Sequence, residues 1–129
     1  MHSGDTVLIP APGTGIVPHL WIVVTEPAHD THICVIVNIT TLRNSQDQTV
    51  ALNAGDHPFI NHPSSVRYSD AQLADEQRLL ADIAAGTARH HRPCSPKLLR
   101  LVQDGMLASP FTPKKIERFC REHWRERGR

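Results

Sequence analysis

The sequence predicts an α+β fold: a small, mostly antiparallel sheet, either strongly bent or closed into a small β-barrel, followed by two to three helices. Short β-rich runs fill the first half of the chain, and apolar residues at helical spacing fill the second half. No helical pattern separates the predicted strands, which argues against a parallel sheet. The length of 129 residues fits a single domain. Within it we expect a strand-rich part at about residues 4–70 and a helical part at about residues 70–127.

Five runs in the first half are predicted as strands. They are short, rich in apolar or β-branched residues, and bounded by glycine, proline or polar residues. We expect the second and third runs at the centre of the sheet because nearly all their positions are apolar. The predicted strands cover residues 5–9, 20–25, 33–39, 48–52 and 64–68.

Two connections between the predicted strands lead to different expectations: residues 13–15 predict a turn, and residues 53–64 predict a functional loop. The Gly13-Thr14-Gly15 run follows a strand, but no helical pattern or Lys-Ser/Thr pair follows it, so it predicts a turn and not a phosphate-binding loop. Residues 53–64 hold one glycine and two prolines that exclude a regular helix. Phe59 and Ile60 are expected to anchor this polar loop to the body, an arrangement typical of functional loops.

Start and stop signals predict three helices in the second half. Ser69 or Asp70 is expected to cap the first, which runs to about residue 85 and stops at Gly86. Ser95 followed by proline starts the second helix, and Gly105 predicts its end near residue 104. Between these helices we expect a basic connection over residues 88–92.

A third start signal, Thr112 followed by Pro113, precedes the last helix. Its apolar residues recur at a spacing that places them on one face. The other faces carry lysine and arginine. The apolar face consists of Ile116, Phe119, Cys120 and Trp124.

Charge is distributed unevenly along the chain. Residues 1–88 hold three basic and nine acidic side chains, a net charge of −6, whereas residues 89–129 hold eleven and four, a net charge of +7. This asymmetry predicts contact with nucleic acid or an acidic partner through the C-terminal end. The alternative is that the cations form a solvated helix face.

The cysteines predict a cytoplasmic protein. Cys34, Cys94 and Cys120 are widely spaced and odd in number, which argues against a disulfide framework. Cys34 and Cys120 lie in apolar patterns and are expected in the core. Cys94 precedes a helix start, which can stabilise a nucleophilic thiolate; the alternative is an inert or partly exposed thiol. We expect no signal peptide and no membrane span.

No local pattern predicts a metal site or another cofactor, since no Cys-x-x-Cys or His-Glu-x-x-His spacing occurs. The densest group of functional side chains lies instead at residues 56–68. An arginine among histidines and hydroxyl groups predicts anion binding with proton transfer. The alternative is that Arg67 pairs with Asp56 or Asp70 and that the histidines cap turns. The candidate side chains are His57, His62, Ser64, Ser65, Arg67 and Tyr68, and of these we expect His57, Ser64, Ser65 and Tyr68 to contact nucleic acid.

Three segments together resemble the MazF/PemK toxin family. They are a Gly-Asp strand at residues 4–9, an apolar strand at residues 19–25 after a glycine-rich loop, and residues 35–41, which end in Ile-Thr-Thr. The resemblance covers residues 4–70, about half of the chain. It implies a Src-homology-3-like barrel with added helices and metal-independent endoribonuclease activity on RNA. It also implies a small antitoxin partner and a homodimer.

Carried over to this chain, the resemblance puts His19 where the family keeps a catalytic arginine, and Thr40 or Thr41 at its threonine position. His19 can transfer a proton but holds a phosphate less well than arginine, so Arg67 or His62 is expected to substitute in space. RNA cleavage needs a base, a cation and an acid. Basic residues of the last helix would attract the RNA backbone; they are Lys114, Lys115, Arg118, Arg121 and Arg125.

Three hypotheses about function follow from the sequence. The first is a toxin-like endoribonuclease or a degenerate relative of one. The second is a non-catalytic barrel module that binds nucleic acid or an acidic protein through its basic C-terminal helices. The third is a chain whose helical end packs on a partner, with Met106, Phe119 and Trp124 in the interface instead of the core.

Overall fold

The structure, a computed structural model, describes residues 1–10 and 18–128. The turn predicted at residues 13–15 lies outside these ranges. The described chain is an α+β fold, a curled six-stranded antiparallel half-barrel with three helices. The strands have the order β4-β5-β3-β2-β1-β6. In chain order, the elements are β1 (Thr6–Pro10), β2 (Pro18–Val23), β3 (Ile33–Thr41), a 3₁₀ turn (Leu42–Asn44), β4 (Ala51–Leu52), β5 (Ser64–Asp75), α1 (Glu76–Ala85), β6 (Arg89–His91), α2 (Pro96–Ala108) and α3 (Lys114–Arg127).

The main core lies between the inner face of the sheet and helices α2 and α3. β2 and β3 are the two middle strands, as their continuous apolar runs predict, and both are paired on each side. Their inward residues pack with the buried faces of the two helices. The inward residues of these strands are Leu20, Ile22, Val35, Val37 and Ile39, and the helices contribute Leu98, Val102, Met106, Ile116, Cys120 and Trp124.

Among the described residues, those that cover the outer face of the sheet lie at one end of it. There Leu79 of α1 packs on Val23, Cys34 and Ile36 in a smaller apolar cluster. Successive side chains of a strand point to opposite faces, so these residues alternate with those of the main core. Toward the start of β2, the remainder of the outer face is not covered by any of residues 1–10 and 18–128.

The predicted start of the first helix is wrong. Residues 69–75 continue β5, and Asp75 is the N-cap, its carboxylate accepting a 2.9 Å hydrogen bond from the Gln77 N–H. The reason is a non-local pairing, since the second half of β5 is hydrogen-bonded to the start of β3, from Ile33↔Asp75 to Ile36↔Gln72. The predicted stop at Gly86 is confirmed by its left-handed conformation at φ 82°.

Two further predictions about the sheet are wrong. The fourth strand is only Ala51–Leu52, not residues 48–52. The basic connection at residues 88–92 contains instead a sixth strand, β6, which pairs with β1. Both are edge strands, so partners distant in the sequence determine them, and local composition does not. The sheet therefore draws on residues beyond the predicted strand-rich part.

Helix α2 begins as predicted but ends later. The Ser95 hydroxyl accepts from the Leu98 N–H at 3.1 Å, and Pro96 occupies the first turn. The prediction that Gly105 ends the helix near residue 104 is wrong. Gly105 is buried within the helix where Tyr68 packs against it, and a side chain there would overlap the Tyr68 ring.

The apolar face of α3 is confirmed, but its predicted cap is wrong. Ile116, Cys120 and Trp124 are buried. Pro113 holds the N-cap position, while the Thr112 hydroxyl donates to the Met106 carbonyl at 2.8 Å and so ties the end of α2 to the turn. Within the described residues, every helix is too short or too polar to cross a bilayer.

Candidate functional site

An open groove of about 880 Å³ lies on the uncovered part of the outer face. Its floor is one row of side chains across three neighbouring strands, because Trp21 of β2 lies opposite Asn38 of β3, which lies opposite Arg67 of β5. His19, two residues before Trp21, shares its face and also lines the groove. We call this feature the sheet groove.

An irregularity in β5 brings a carboxylate into the sheet groove. Between the pairs Asn38↔Arg67 and Ile36↔Gln72, β5 contains more residues than β3, so its backbone bulges. The bulge turns Asp70 toward the groove, where its Oδ2 accepts a 3.0 Å hydrogen bond from Asn38 Nδ2. The same Oδ2 lies 3.6 Å from Arg67 Nε. The pairing of Arg67 with Asp70 is one of the alternatives that the sequence left open.

The sheet groove unites part of the predicted catalytic set. His19 and Arg67 line it together. Thr40 lies on the same face of β3 as Asn38 by strand alternation but is outside the lining that the described residues form. The Asn38 side chain is 5% exposed, and its Oδ1 has no hydrogen-bond partner among the described residues.

Thr41 and His62 lie in a different hollow, beside the end of β3. The pairing Thr41↔Ser64 brings the loop before β5 next to Thr41. His62 Nδ1 lies 2.7 Å from Asn61 Oδ1, and His62 Nε2 lies 3.1 Å from the Thr41 hydroxyl. Asn61 Oδ1 can only accept, so Nδ1 carries the proton and Nε2 accepts from Thr41. Arg43 lines the same hollow.

Four residues predicted to contact nucleic acid are buried. Ser64, Ser65 and Tyr68 are at most 3% exposed, and the Tyr68 hydroxyl donates to the Val102 carbonyl at 2.8 Å. Burial raises the pKa of Tyr68 well above its usual value. These side chains lie beneath the surface that a nucleic acid could reach, so they position the strands instead.

His57, the fourth of these residues, is a structural histidine. It is 2% exposed. Its Nε2–H donates to the Arg92 carbonyl at 2.6 Å, and its Nδ1 accepts from the Phe59 N–H at 3.0 Å. Burial lowers its pKa, with a smaller contribution from nearby His91. His57 therefore anchors the polar loop, together with buried Ile60, to the segment after β6.

The predicted basic residues of α3 are all exposed. Four of them line one hollow along the helix, at spacings of four, three and four residues that place them on one side. Glu117 and Glu122 line it too, and Glu117 Oε1 is 3.1 Å from Arg121 Nε. We call this feature the α3 stripe; it consists of Lys114, Arg118, Arg121 and Arg125.

The cysteines are free thiols, and Cys34 and Cys120 are buried as predicted. Burial raises the pKa of Cys94 to about 12, so its thiolate is disfavoured. Among residues 1–10 and 18–128, no three His, Cys, Asp or Glu side chains lie close enough together to hold a metal ion.

Sequence reasoning did not select Trp21 or Asn38 for the site. Both lie in runs that are apolar at nearly every position, so nothing local distinguishes the outer face from the core face. Asp70 was considered only as an ion-pair partner or a helix cap. The available signal was the alternation of side chains along a strand, since His19 and Trp21 must point to the face opposite that of the inward residues Leu20 and Ile22.

Comparisons with known proteins add no family to this geometry. No protein-family model, curated protein or solved structure matches the chain. The function proposed below is therefore argued from the residues of the sheet groove and of α3.

Proposed function

We propose that the chain is a metal-independent endoribonuclease whose active site is the sheet groove. One observation carries this proposal: the groove brings His19, Arg67 and Asp70 together beside the half-buried Trp21 ring. An aromatic ring beside a cation is the arrangement that single-stranded nucleic acids favour, since bases stack on the ring and phosphates meet the cation.

Cleavage by this set would be a transesterification. The ribose 2′-oxygen forms a bond to phosphorus while the bond to the 5′-oxygen breaks, which leaves a 2′,3′-cyclic phosphate and a 5′-hydroxyl. One group takes the 2′-hydroxyl proton, and another gives a proton to the leaving oxygen. In this proposal His19 and Asp70 transfer the two protons. Arg67 offsets the charge that develops on the phosphorane.

The wider proposal follows the resemblance to the MazF/PemK family. We infer that the curled sheet is a Src-homology-3-like barrel and that the chain acts in the reducing cytoplasm, where free thiols persist. A homodimer and a small antitoxin that inhibits it belong to the same proposal. The experiment below tests the enzymatic part without either partner.

The test is incubation of the purified chain with long unstructured RNA in EDTA. We expect cleavage to products that end in a cyclic phosphate, and no cleavage of the same sequence with 2′-deoxy sugars. Arg67→Ala is expected to slow cleavage by about 10²–10³-fold, and His19→Ala by about 10²–10⁴-fold. Arg100→Ala, an exposed arginine of α2, is the matched control and should cleave normally. Intact RNA with the unaltered chain would reject the enzymatic proposal.

The α3 stripe favours a second candidate, a non-catalytic module that binds a nucleic-acid backbone. Its four cations extend over twelve residues of helix, a rise of about 16.5 Å at 1.5 Å per residue. Such a surface attracts phosphates without sequence preference. It lies on a helix packed against the inner face of the sheet, whereas the sheet groove opens on the outer face.

Salt dependence distinguishes this candidate from the first. If the α3 stripe binds nucleic acid, replacing Lys114 and Arg118 with glutamate should weaken binding and make log K fall less steeply with log salt. The slope should change by about 0.7 for each single-strand phosphate that the helix no longer neutralises. Lys97→Glu, an exposed change on α2, is the control. An unchanged slope of log K against log salt would show that α3 is not part of the binding surface.

A further inference from the structure

The sheet groove continues beyond Arg67. A second hollow adjoins it, and Arg67 and Ser69 line both. Phe111, in the turn between α2 and α3, also lines this second hollow. Arg67 thus lies where a hollow lined by Trp21 adjoins a hollow lined by Phe111.

Phe111 is one of three large apolar side chains that are exposed in the described structure, at 42%. Its backbone is fixed all the same, since its N–H donates to the Ser109 hydroxyl at 3.1 Å. Ser109 is buried and donates to Asp47 Oδ2 at 2.8 Å. The turn therefore presents the Phe111 ring to solvent, while its backbone is held in place by buried Ser109.

The charge of the second hollow also favours an anionic ligand. Asp47 is the carboxylate that lines it among the described residues, and it is only 4% exposed. Its Oδ1 accepts from the Thr49 N–H and hydroxyl, and its Oδ2 accepts from Ser109. The charge that remains accessible is Arg67, whose side chain is 50% exposed.

We propose that a single-stranded RNA crosses the protein over Arg67, with one base stacked on Trp21 and another on Phe111. Phe111 is thus a positioning residue that extends the ligand to at least the two nucleotides flanking the phosphate at Arg67. This inference rests on the proposed function, because it takes the sheet groove as the nucleic-acid site. It adds a second stacking site from the helical half of the chain.

Binding of fluorescently labelled, fully 2′-O-methylated RNA, which cannot be cleaved, tests the inference by anisotropy. Phe111→Ala should weaken binding of a hexanucleotide by about 5- to 150-fold, the range for loss of one base–aromatic stack. It should leave the affinity for a mononucleotide unchanged, because we expect a mononucleotide to bind on the Trp21 side of Arg67. Leu101→Ala is the matched control, since Leu101 is a similarly exposed apolar residue, at 46%, on α2.

The outcomes separate the two proposals. If Trp21→Ala and Arg67→Ala weaken binding while Phe111→Ala equals the Leu101→Ala control, the sheet groove binds RNA but the path over Phe111 is refuted. If none of these variants weakens binding, the groove itself is not the nucleic-acid site. Phe111→Trp should retain affinity for the hexanucleotide, and its failure to do so would contradict a stacking role. Circular dichroism of each variant verifies that it is folded.

Discussion

Gly105→Ala is predicted to destabilise the fold, although alanine favours helices over glycine. A Cβ atom at Gly105 would overlap the Tyr68 hydroxyl and lie 2.5 Å from Val50 Cγ2 and 2.8 Å from Tyr68 Cζ. Tyr68 is fully buried and its hydroxyl donates to the Val102 carbonyl at 2.8 Å. The ring cannot retreat without disturbing both the core and this hydrogen bond.

Three terms set the magnitude. Overpacking a filled core costs about 1–3 kcal/mol, and a buried hydroxyl that loses its partner costs about 1–3 kcal/mol more. The higher helix propensity of alanine offsets about 1 kcal/mol. We therefore expect Gly105→Ala to lower the free energy of unfolding by about 3 kcal/mol. At this chain length, that is a fall in Tm of about 10 °C.

Urea and thermal denaturation followed by circular dichroism measure this effect, and a double-mutant cycle assigns its cause. On a Tyr68→Phe background the clashing hydroxyl is absent, so Gly105→Ala should cost at least about 0.5 kcal/mol less than in the unaltered chain. An equal cost on both backgrounds would refute the assignment of the clash to the Tyr68 hydroxyl. A Gly105→Ala protein as stable as the unaltered chain would refute the inference that only a glycine fits at this position of α2.

Three further predictions concern the histidines and a helix cap. Burial lowers the pKa of His57, so the unfolded chain binds the proton more readily than the folded chain does. The stability that depends on neutral His57 is therefore complete above the unfolded pKa of about 6.5 and falls as the pH drops below it. His57→Gln should make the free energy of unfolding fall less steeply when denaturation is measured from about pH 7 to 5. An unchanged slope of this free energy against pH would contradict the assignment of the fall to His57. Ser95→Ala should cost about 1 kcal/mol in urea denaturation, because the cap of α2 is lost. His62→Ala should leave the initial rate of RNA cleavage unchanged, because His62 lies outside the sheet groove; a loss as large as that of His19→Ala would move the chemistry to the other hollow.

Local signals predicted the elements whose causes are local. The cap at Ser95 and the stop at Gly86 depend on a few neighbouring residues, and both occur as predicted. The strands at the middle of the sheet are also evident from their own composition. The failures at β6 and Gly105 involve long-range partners: β6 is a strand through its pairing with β1, and Gly105 lies within α2 where Tyr68 fills the space that a side chain would need.

The candidate site was predictable only in part for the same reason. His19 and Arg67 could be selected from a resemblance and from the scarcity of cations in residues 1–88. Their placement in one groove depends on β3 lying between β2 and β5, and on the bulge that turns Asp70 outward. No periodicity in residues 64–75 signals that bulge, and the serine and aspartate within it resemble a helix cap.

The contacts of Asp70 explain how Arg67 can serve a ligand while the groove keeps its shape. The Arg67–Asp70 pair is partly exposed and 3.6 Å long, and such pairs contribute only about 0–1 kcal/mol. The hydrogen bond from Asn38 to Asp70 is shorter, at 3.0 Å, and comes from a side chain that is 5% exposed. A phosphate therefore competes with a weak interaction when it engages Arg67, and Asn38 continues to hold Asp70 after the exchange. Since Asn38 is fixed on the central strand, the carboxylate keeps its place in the sheet groove, which the proposed role of Asp70 in proton transfer requires.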